Sequence, residues 1–202
     1  MLDNDLGKKT VSMKNKAIVA STIVLLVILS GLYFYISSKN TIRYSEPNQF
    51  LFKSVQNKLF HIKTEVNHIK IEEFKGKIVF LKVFGWDCQY CRKEIPELIE
   101  LKKKFEVAFD SIAIEEQHHT HKENMDFIKK LDINYNIVEG DKQTKFLDYL
   151  KKNYGWNVVI PLTIVIDAHG KILAFEVGYK SYNLTTLLQT TLNELTQVAS
   201  PK

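Results

Sequence analysis

The strongest constraint on the fold is an apolar run that leads directly into a pair of cysteines and then into a helical pattern. Residues 78–84 read IVFLKVF, a β-branched and aromatic run suited to a buried strand. Cys88 and Cys91 follow it and are the only cysteines among 202 residues. From Arg92 to Phe109, apolar residues recur every three or four positions, which predicts an amphipathic helix. The cysteines are therefore expected at a strand-to-helix turn.

The rest of the sequence predicts an α/β domain over residues 50–198. Residues 50–74 alternate between apolar and polar positions around a VQNK turn, which predicts a short N-terminal hairpin. Further strands are predicted at FDSIAIEE, YNIVEG, LTIVID and ILAFEVG, and further helices over residues 124–131, 146–154 and 183–198. This order of elements predicts a central mixed sheet with helices on both faces.

An uncharged apolar segment lies near the start, over residues 17–36, and predicts a transmembrane helix. About 20 such residues are enough to cross a hydrocarbon core of about 30 Å. Basic residues are denser before the segment than after it: Lys8, Lys9, Lys14 and Lys16 precede it, and Lys39 and Arg43 follow. This bias predicts a cytoplasmic tail over residues 1–16, a linker over 37–49 and an extracytoplasmic, periplasmic domain on a single-pass anchor. We favour this anchor over a cleaved signal peptide, whose apolar core is usually shorter.

Composition and charge limit the classes of function that this chain can have. Apolar residues make up 45% of the chain and charged residues 25%, values typical of a globular protein with an ample core. The net charge of +5 comes from lysines scattered among acidic residues, so the sequence carries no basic run or Arg-rich face for nucleic acid. We expect a monomer without a cofactor or a nucleic acid partner, and we assign no metal ligands.

Two cysteines separated by two residues at the start of a helix form a chemically useful pair. The helix N-terminus supplies unpaired N–H groups and partial positive charge, which stabilise a thiolate. Cys88 is then the exposed nucleophile, and Cys91, one turn further along, resolves the mixed disulfide. A purely structural bridge is an alternative, but closing so short a loop removes little chain entropy. The pair therefore predicts a redox-active dithiol.

Two prolines add to this pattern and lead to a family resemblance. Pro96 falls inside the helical pattern, and Pro161 precedes the strand LTIVID. The resemblance rests on two segments, FLKVFGWDCQYCRKEIPEL and VVIPLTIVIDAHGKILAFEVG, and on the apolar segment in front of them. In these segments the chain resembles the membrane-anchored thioredoxin-like proteins of the TlpA and ResA type. The resemblance implies a thioredoxin-like fold in which Pro161 is a cis-proline facing the cysteines and Pro96 kinks the active-site helix. It also implies substrate contacts from Ile160, Pro161 and Trp86, with the Ile160 backbone pairing in strand-like fashion.

The sequence departs from that family at two positions close to the dithiol. Asp87 stands where the family commonly has tryptophan, and a carboxylate beside Cys88 opposes thiolate formation. Lys82 stands where thioredoxins carry a buried acid; its ammonium favours the thiolate if it points inward, and otherwise it faces solvent. The sequence therefore leaves open which group transfers protons to and from the cysteines. The candidates are Glu94, Glu97 and Glu115.

The predicted function is that of an extracytoplasmic protein thiol-disulfide oxidoreductase. We expect a reductant of exported proteins, for example of apocytochrome c thiols, which would exchange disulfides with its partners and need a membrane electron donor. Three alternatives stay open: a disulfide-donating oxidant, a periplasmic copper-handling protein that uses the dithiol with a histidine cluster, and a binding module that has lost the chemistry. The cluster consists of His118, His119 and His121.

Overall fold

The computed structural model describes residues 26–32 and 48–199. The strands are β1 (Asn48–Lys53), β2 (Leu59–Glu65), β3 (His68–Ile71), β4 (Ile78–Phe84), β5 (Phe109–Glu115), β6 (Asn136–Glu139), β7 (Leu162–Ile166) and β8 (Ile172–Val177). The helices are α1 (Gln89–Lys104), α2 (His121–Lys130), α3 (Thr144–Tyr154) and α4 (Leu184–Ala199). Short 3₁₀ turns occupy Glu72–Phe74 and Gly140–Gln143. All of these elements belong to a compact unit that spans Ser45–Lys202.

Only part of the predicted N-terminal anchor falls within the described residues. Residues 26–32 form a helix with exposed side chains. The predicted tail, the other residues of the 17–36 segment and most of the predicted linker lie outside the described residues. Among residues 26–32 and 48–199, no helix is both long and apolar enough to cross a membrane. The anchor therefore stays a prediction.

The central sheet has five strands in the order β6-β5-β4-β7-β8. Strands β4, β5 and β6 run parallel to one another, while β7 pairs antiparallel with both β4 and β8. Parallel neighbours need crossover connections, and α1 and α2 supply them. The prediction of a central mixed sheet is confirmed.

A separate three-stranded sheet precedes the central one. β1 and β2 form the predicted N-terminal hairpin, and β3 adds antiparallel to β2, with Ile62 opposite Ile71. β1 begins inside the range predicted for the linker, because Asn48 already pairs with Thr64. The hairpin is therefore confirmed, and one further strand extends it.

Alternation along β4 separates two cores on opposite faces of the central sheet. Alternate side chains from Val79 to Val83 pack with the three-stranded sheet and α3, whereas Phe80 and Phe84 pack with α1, α2 and α4. Helices therefore cover both faces, as predicted. Lys82 lies on the second face under α1 and is only 3% exposed. The alternative that Lys82 faces solvent is wrong, because β4 is covered on both sides.

Two helices begin earlier than the apolar periodicity predicts, because polar side chains cap them. α1 begins at Gln89, since Cys88 occupies the N-cap position and its side chain accepts a backbone hydrogen bond. α2 begins at His121, because Thr120 and Glu123 form a capping box. The start of α1 places the dithiol directly on the helix N-terminus.

Candidate active site

Cys88 and Cys91 lie at the N-terminus of α1 and form a disulfide with their Cα atoms 5.2 Å apart. The Cys91 backbone N–H donates a hydrogen bond to Cys88 Sγ at 3.1 Å. The first turn of α1, all of which is described, carries no acidic side chain that would offset the positive end of the helix. Cys88 is partly exposed, whereas Cys91 is buried. This difference makes Cys88 the sulfur that a partner can reach.

The turn before the dithiol is held by α2 and by the loop that leads into it from β5. Trp86 is 1% exposed; its Nε1–H donates to Asn124 Oδ1 at 2.8 Å, and its ring stacks on Phe127 with centroids 4.8 Å apart. The Asp87 backbone N–H donates to Gln117 Oε1 at 2.7 Å. The expectation that Trp86 contacts the substrate disagrees with the structure, because its ring is enclosed in the core.

A chain of ionisable side chains runs from Asp87 into the same loop. Asp87 Oδ2 lies 3.4 Å from His119 Nε2, and His119 Nδ1 lies 3.1 Å from Glu115 Oε1. Glu115 is fully buried and also accepts hydrogen bonds from the backbone N–H groups of Gln117 and His119. Both imidazole nitrogens face carboxylates, and both can donate only when the ring carries an extra proton. Glu115, one of the candidate proton-transfer residues, is therefore engaged in shaping this loop.

An ion pair is buried close to Cys91. Lys82 Nζ donates to Glu94 Oε2 at 2.8 Å and to Thr163 Oγ1 at 2.5 Å. Burial lowers the pKa of Lys82, and the charge of Glu94 opposes that shift. A cavity of about 10 Å³, close to the smallest volume that holds one water, is lined by the pair together with Cys91, Tyr135 and apolar side chains. Of the three candidate glutamates, Glu94 is the one that shares a cavity with Cys91.

The third candidate, Glu97, has a different contact. Its Oε2 accepts a hydrogen bond from the Leu184 backbone N–H at 2.7 Å. Leu184 is the first residue of α4, and N–H groups in the first turn of a helix have no partner within that helix. The Glu97 carboxylate therefore fastens the start of α4 to α1.

The loop that ends at Pro161 completes the site. The Ile160–Pro161 peptide bond is cis, as the resemblance implies. Trp156 is buried, and its Nε1–H donates to the Val159 carbonyl at 3.0 Å, which holds the loop in place. Ile160 is partly exposed and packs against the same core cluster as Cys88. Contacts of Ile160 and Pro161 with a substrate chain stay predictions.

The three clustered histidines engage different partners. His118 is exposed and has a φ of 60°. His121 Nδ1 lies 2.9 Å from Glu139 Oε1, whereas His119 is held by Glu115. Within residues 26–32 and 48–199, no group of three or more histidine, cysteine or carboxylate side chains is arranged to hold a metal ion. In this part of the chain the copper hypothesis therefore has no preformed ligand set.

A pair of tyrosines beside the dithiol is not predicted by the sequence. Tyr90, between the two cysteines, stacks on Tyr179 with ring centroids 4.8 Å apart. Lys93 Nζ lies 5.4 Å from the centroid of each ring. Tyr179 follows β8, and only the return of β8 along β7 brings it to the dithiol. The sequence shows Tyr179 only as an aromatic residue directly after the last strand. No local pattern indicates that it contacts Tyr90.

The chain is similar in sequence to known thiol-disulfide oxidoreductases. The AhpC/TSA family model matches residues 52–175. Thiol-disulfide oxidoreductase ResA of Bacillus cereus (strain ATCC 10987 / NRS 248) is 28% identical over 159 residues, which cover 75% of this chain and 83% of that protein. ResA of Bacillus thuringiensis subsp. konkukian (strain 97-27) is 27% identical over 168 residues, which cover 80% of this chain and 88% of that protein.

Solved structures share the fold. StoA from Bacillus subtilis has a TM-score of 0.50 at 20% identity, with 73% of this chain and 98% of that chain covered. A thiol:disulfide interchange protein of the thioredoxin family from Chlorobium tepidum TLS has a TM-score of 0.52 at 24% identity, with 74% and 97% covered. These likenesses show the thioredoxin-like fold. Because the family match spans more than half of the chain, the protein belongs to the AhpC/TSA family, and its similarity to ResA proteins identifies it as a protein thiol-disulfide oxidoreductase.

Proposed function

We propose that this protein is a membrane-anchored, extracytoplasmic thiol-disulfide oxidoreductase of the ResA type that reduces disulfides in exported proteins. The observation that carries the proposal is the partly exposed Cys88 residue at the N-terminus of α1, with the buried Cys91 behind it. The similarity to ResA over most of the chain supports the same assignment.

In the proposed direction, the Cys88 thiolate attacks one sulfur of a partner's disulfide. A bond forms between Cys88 and that sulfur, the partner's S–S bond breaks, and the released thiolate takes up a proton. Cys91 then loses its proton and attacks Cys88 Sγ, which closes the Cys88–Cys91 disulfide and releases the second partner sulfur. In total, the partner's disulfide gains two electrons and two protons, and the Cys88–Cys91 dithiol loses them. A dithiol in a membrane electron donor must return two electrons and two protons to this chain.

The charge next to Cys88 supports the reducing direction. The Asp87 side chain is 70% exposed, and a carboxylate at this position disfavours the thiolate form of its neighbour. Strong disulfide donors owe their high potential to a stabilised reduced form. A dithiol with a less stabilised thiolate has a lower reduction potential and gives up its electrons more readily.

The reduction potential tests the direction. The soluble part of the chain, from Thr41 onward, is equilibrated with glutathione and dithiothreitol buffers, and the reduced fraction is read by alkylation and gel shift. We expect a value near that of thioredoxin, about −270 mV. A value near that of DsbA, about −120 mV, would make the protein a disulfide donor and overturn the reductant assignment.

Apocytochrome c is the example of a substrate that we favour. Its haem-attachment motif, C-x-x-C-H, contains two thiols that oxidise readily in an oxidising compartment. The reduced protein is therefore expected to reduce a peptide that carries this motif as an internal disulfide. Reduction of other peptide disulfides, but not of this one, would remove the cytochrome example.

The membrane location is proposed from residues 17–36 and the basic residues before them. Washed membranes should retain the full-length chain, and a membrane-impermeant maleimide should label reduced Cys88 in intact spheroplasts. A shortened chain in the soluble fraction would instead support the signal-peptide alternative. Light scattering of the released domain tests the proposed monomer.

A further inference from the structure

Exposed aromatic and branched apolar side chains lie beside the dithiol, in the first turn of α1 and on the neighbouring loops. We call four of them the tyrosine surface: Tyr90, Val158, Val159 and Tyr179. Their exposed fractions range from 43% to 48%. Grouped exposed apolar residues on a soluble domain usually mark a binding site. The question is which ligand this surface fits.

Contacts make the surface continuous. The Tyr90 ring stacks on Tyr179 at 4.8 Å with an interplanar angle of 21°. Tyr179 follows Gly178, and a Cβ atom placed on Gly178 would lie 3.7 Å from Val159 Cγ1, so the two segments are neighbours. The Gly178 backbone N–H donates to the Pro161 carbonyl at 2.8 Å, which fixes this segment to the cis-proline loop. The surface therefore runs from between the two cysteines to the residue before Ile160.

The valine end of the surface is held in place before a partner arrives. Val158 has a φ of 68°, in the left-handed region that β-branched residues rarely adopt. Strained backbone of this kind persists where surrounding contacts enforce it, often at binding sites. Here the Trp156 indole N–H supplies such a contact to the Val159 carbonyl.

Positive charge borders the tyrosine rings. Lys93 Nζ lies 5.4 Å from the centroids of both Tyr90 and Tyr179. The neighbouring Arg92 is exposed. Among residues 48–199, neither Lys93 nor Arg92 is ion-paired with a carboxylate. A negatively charged group on a ligand would therefore find the Lys93 ammonium available beside an apolar surface.

We propose that the tyrosine surface selects partner proteins that carry a large apolar or aromatic side chain within two residues of the reacting cysteine, next to a carboxylate. This inference rests on the proposed function, since disulfide exchange at Cys88 is what brings a partner chain to this place. An extended chain advances about 3.3 Å per residue, so the residues that flank the partner's cysteine fall on the adjoining surface. An aromatic side chain gains a large contact area there, and a carboxylate pairs with Lys93.

The test uses two peptide disulfides that differ in one residue. Each is a disulfide between the cysteine of a short peptide and a second thiol. The residue after that cysteine is tryptophan in one peptide and serine in the other. Aspartate is the next residue in both peptides. The full-length chain in lipid nanodiscs is reduced and mixed with each peptide, and the second-order rate constants are measured. We expect the tryptophan peptide to react about tenfold faster. Tyr179→Ala should bring this ratio towards one, and Tyr179→Phe should preserve it.

Val66→Ala is the matched control, because Val66 is an exposed apolar residue in the turn between β2 and β3. Equal rate constants for the two peptides, or an unchanged ratio in Tyr179→Ala, would overturn the inference and leave the proposed function intact. Every protein is also assayed with 2-hydroxyethyl disulfide, which needs the dithiol but no docking surface. If the unaltered chain reduces none of the three disulfides, the proposed function fails and this inference fails with it.

Discussion

Lys82 Nζ and Glu94 Oε2 lie 2.8 Å apart and form an ion pair in the core next to Cys91. Lys82 belongs to the central strand β4 and Glu94 to α1, so the pair joins the two elements that flank the dithiol. The side chains are only 4% and 10% exposed. In such surroundings each charge is tolerated because the other is present.

Removing one member of this pair is expected to cost more stability than removing both. Lys82→Met leaves the Glu94 carboxylate buried without a counter-charge, which lowers the free energy of unfolding by about 3 kcal/mol. The double variant Lys82→Met/Glu94→Leu replaces the pair with apolar groups and recovers most of that loss. Urea unfolding of the oxidised domain measures both values. Equal losses in the single and double variants would show that the two charges are not coupled.

Glu94 is expected to assist the second step of exchange, in which Cys91 must lose a proton. Glu94→Gln should slow the release of a mixed disulfide by about tenfold, which is below the usual contribution of about 10²- to 10⁴-fold from general-base catalysis. The first attack by Cys88 should be nearly unaffected. Rapid-mixing kinetics with a chromogenic disulfide separate the two steps. Glu100→Gln, an identical change at an exposed position of α1, is the control. An unaltered second step in Glu94→Gln would mean that Cys91 exchanges its proton with another group.

Asp87 is expected to disfavour the thiolate form of Cys88. Asp87→Asn removes a nearby negative charge, so the alkylation rate of Cys88 at pH 7 should rise by roughly threefold. The same change stabilises the reduced form and should make the reduction potential less negative. Asp126→Asn is the control, since Asp126 is an exposed residue of α2 paired with Lys122. If neither quantity moves, the Asp87 carboxylate does not influence the Cys88 thiolate and this prediction is wrong.

Glu116 gives the folded domain a pH-dependent stability. Glu116 Oε2 is buried and has no hydrogen-bond partner among the described residues, and burial raises the pKa of this carboxyl above 4.5. Between the ordinary and the raised pKa, the folded chain binds more protons than the unfolded chain. This contribution to stability is therefore present at low pH and is lost as the pH rises through the raised pKa.

Glu116→Gln keeps the shape of the side chain and removes its charge. We expect the variant to be more stable at pH 7 by roughly 0.5 kcal/mol, a small figure because the residue is partly solvated. Near pH 4 the difference should largely disappear, since the carboxyl is then mostly protonated in the native chain. Thermal unfolding at both pH values measures the change. A gain of the same size at both would assign the effect to the amide hydrogen bonds of glutamine.

Local patterns were sufficient to predict most of the fold. The run from Ile78 to Phe84 is apolar on both faces because β4 is covered on both sides, and this buried strand could be recognised from sequence alone. The order of strands and helices then implied a mixed sheet. The position of Cys88 at a helix start also followed from the change of period after β4.

Contacts between distant segments could not be predicted in the same way. Trp86 is enclosed because α2 brings Asn124 and Phe127 against it, and no local pattern reports that packing. The inward direction of Lys82 depends on Glu94 in α1. Whether Lys82 points inward or faces solvent could be decided only from the position of α1 on the sheet.

The roles of the two cysteines are tested most directly by trapping their partners. Full-length Cys91→Ser and Cys88→Ser variants are expressed in cells, and adducts are resolved on non-reducing gels. Cys91→Ser should accumulate disulfide-linked adducts with exported proteins that disappear on reduction, because the attack succeeds and its resolution does not. Cys88→Ser should form none, since Cys91 is 2% exposed. Adducts in Cys88→Ser, or none in Cys91→Ser, would contradict the assignment of Cys88 as the nucleophile.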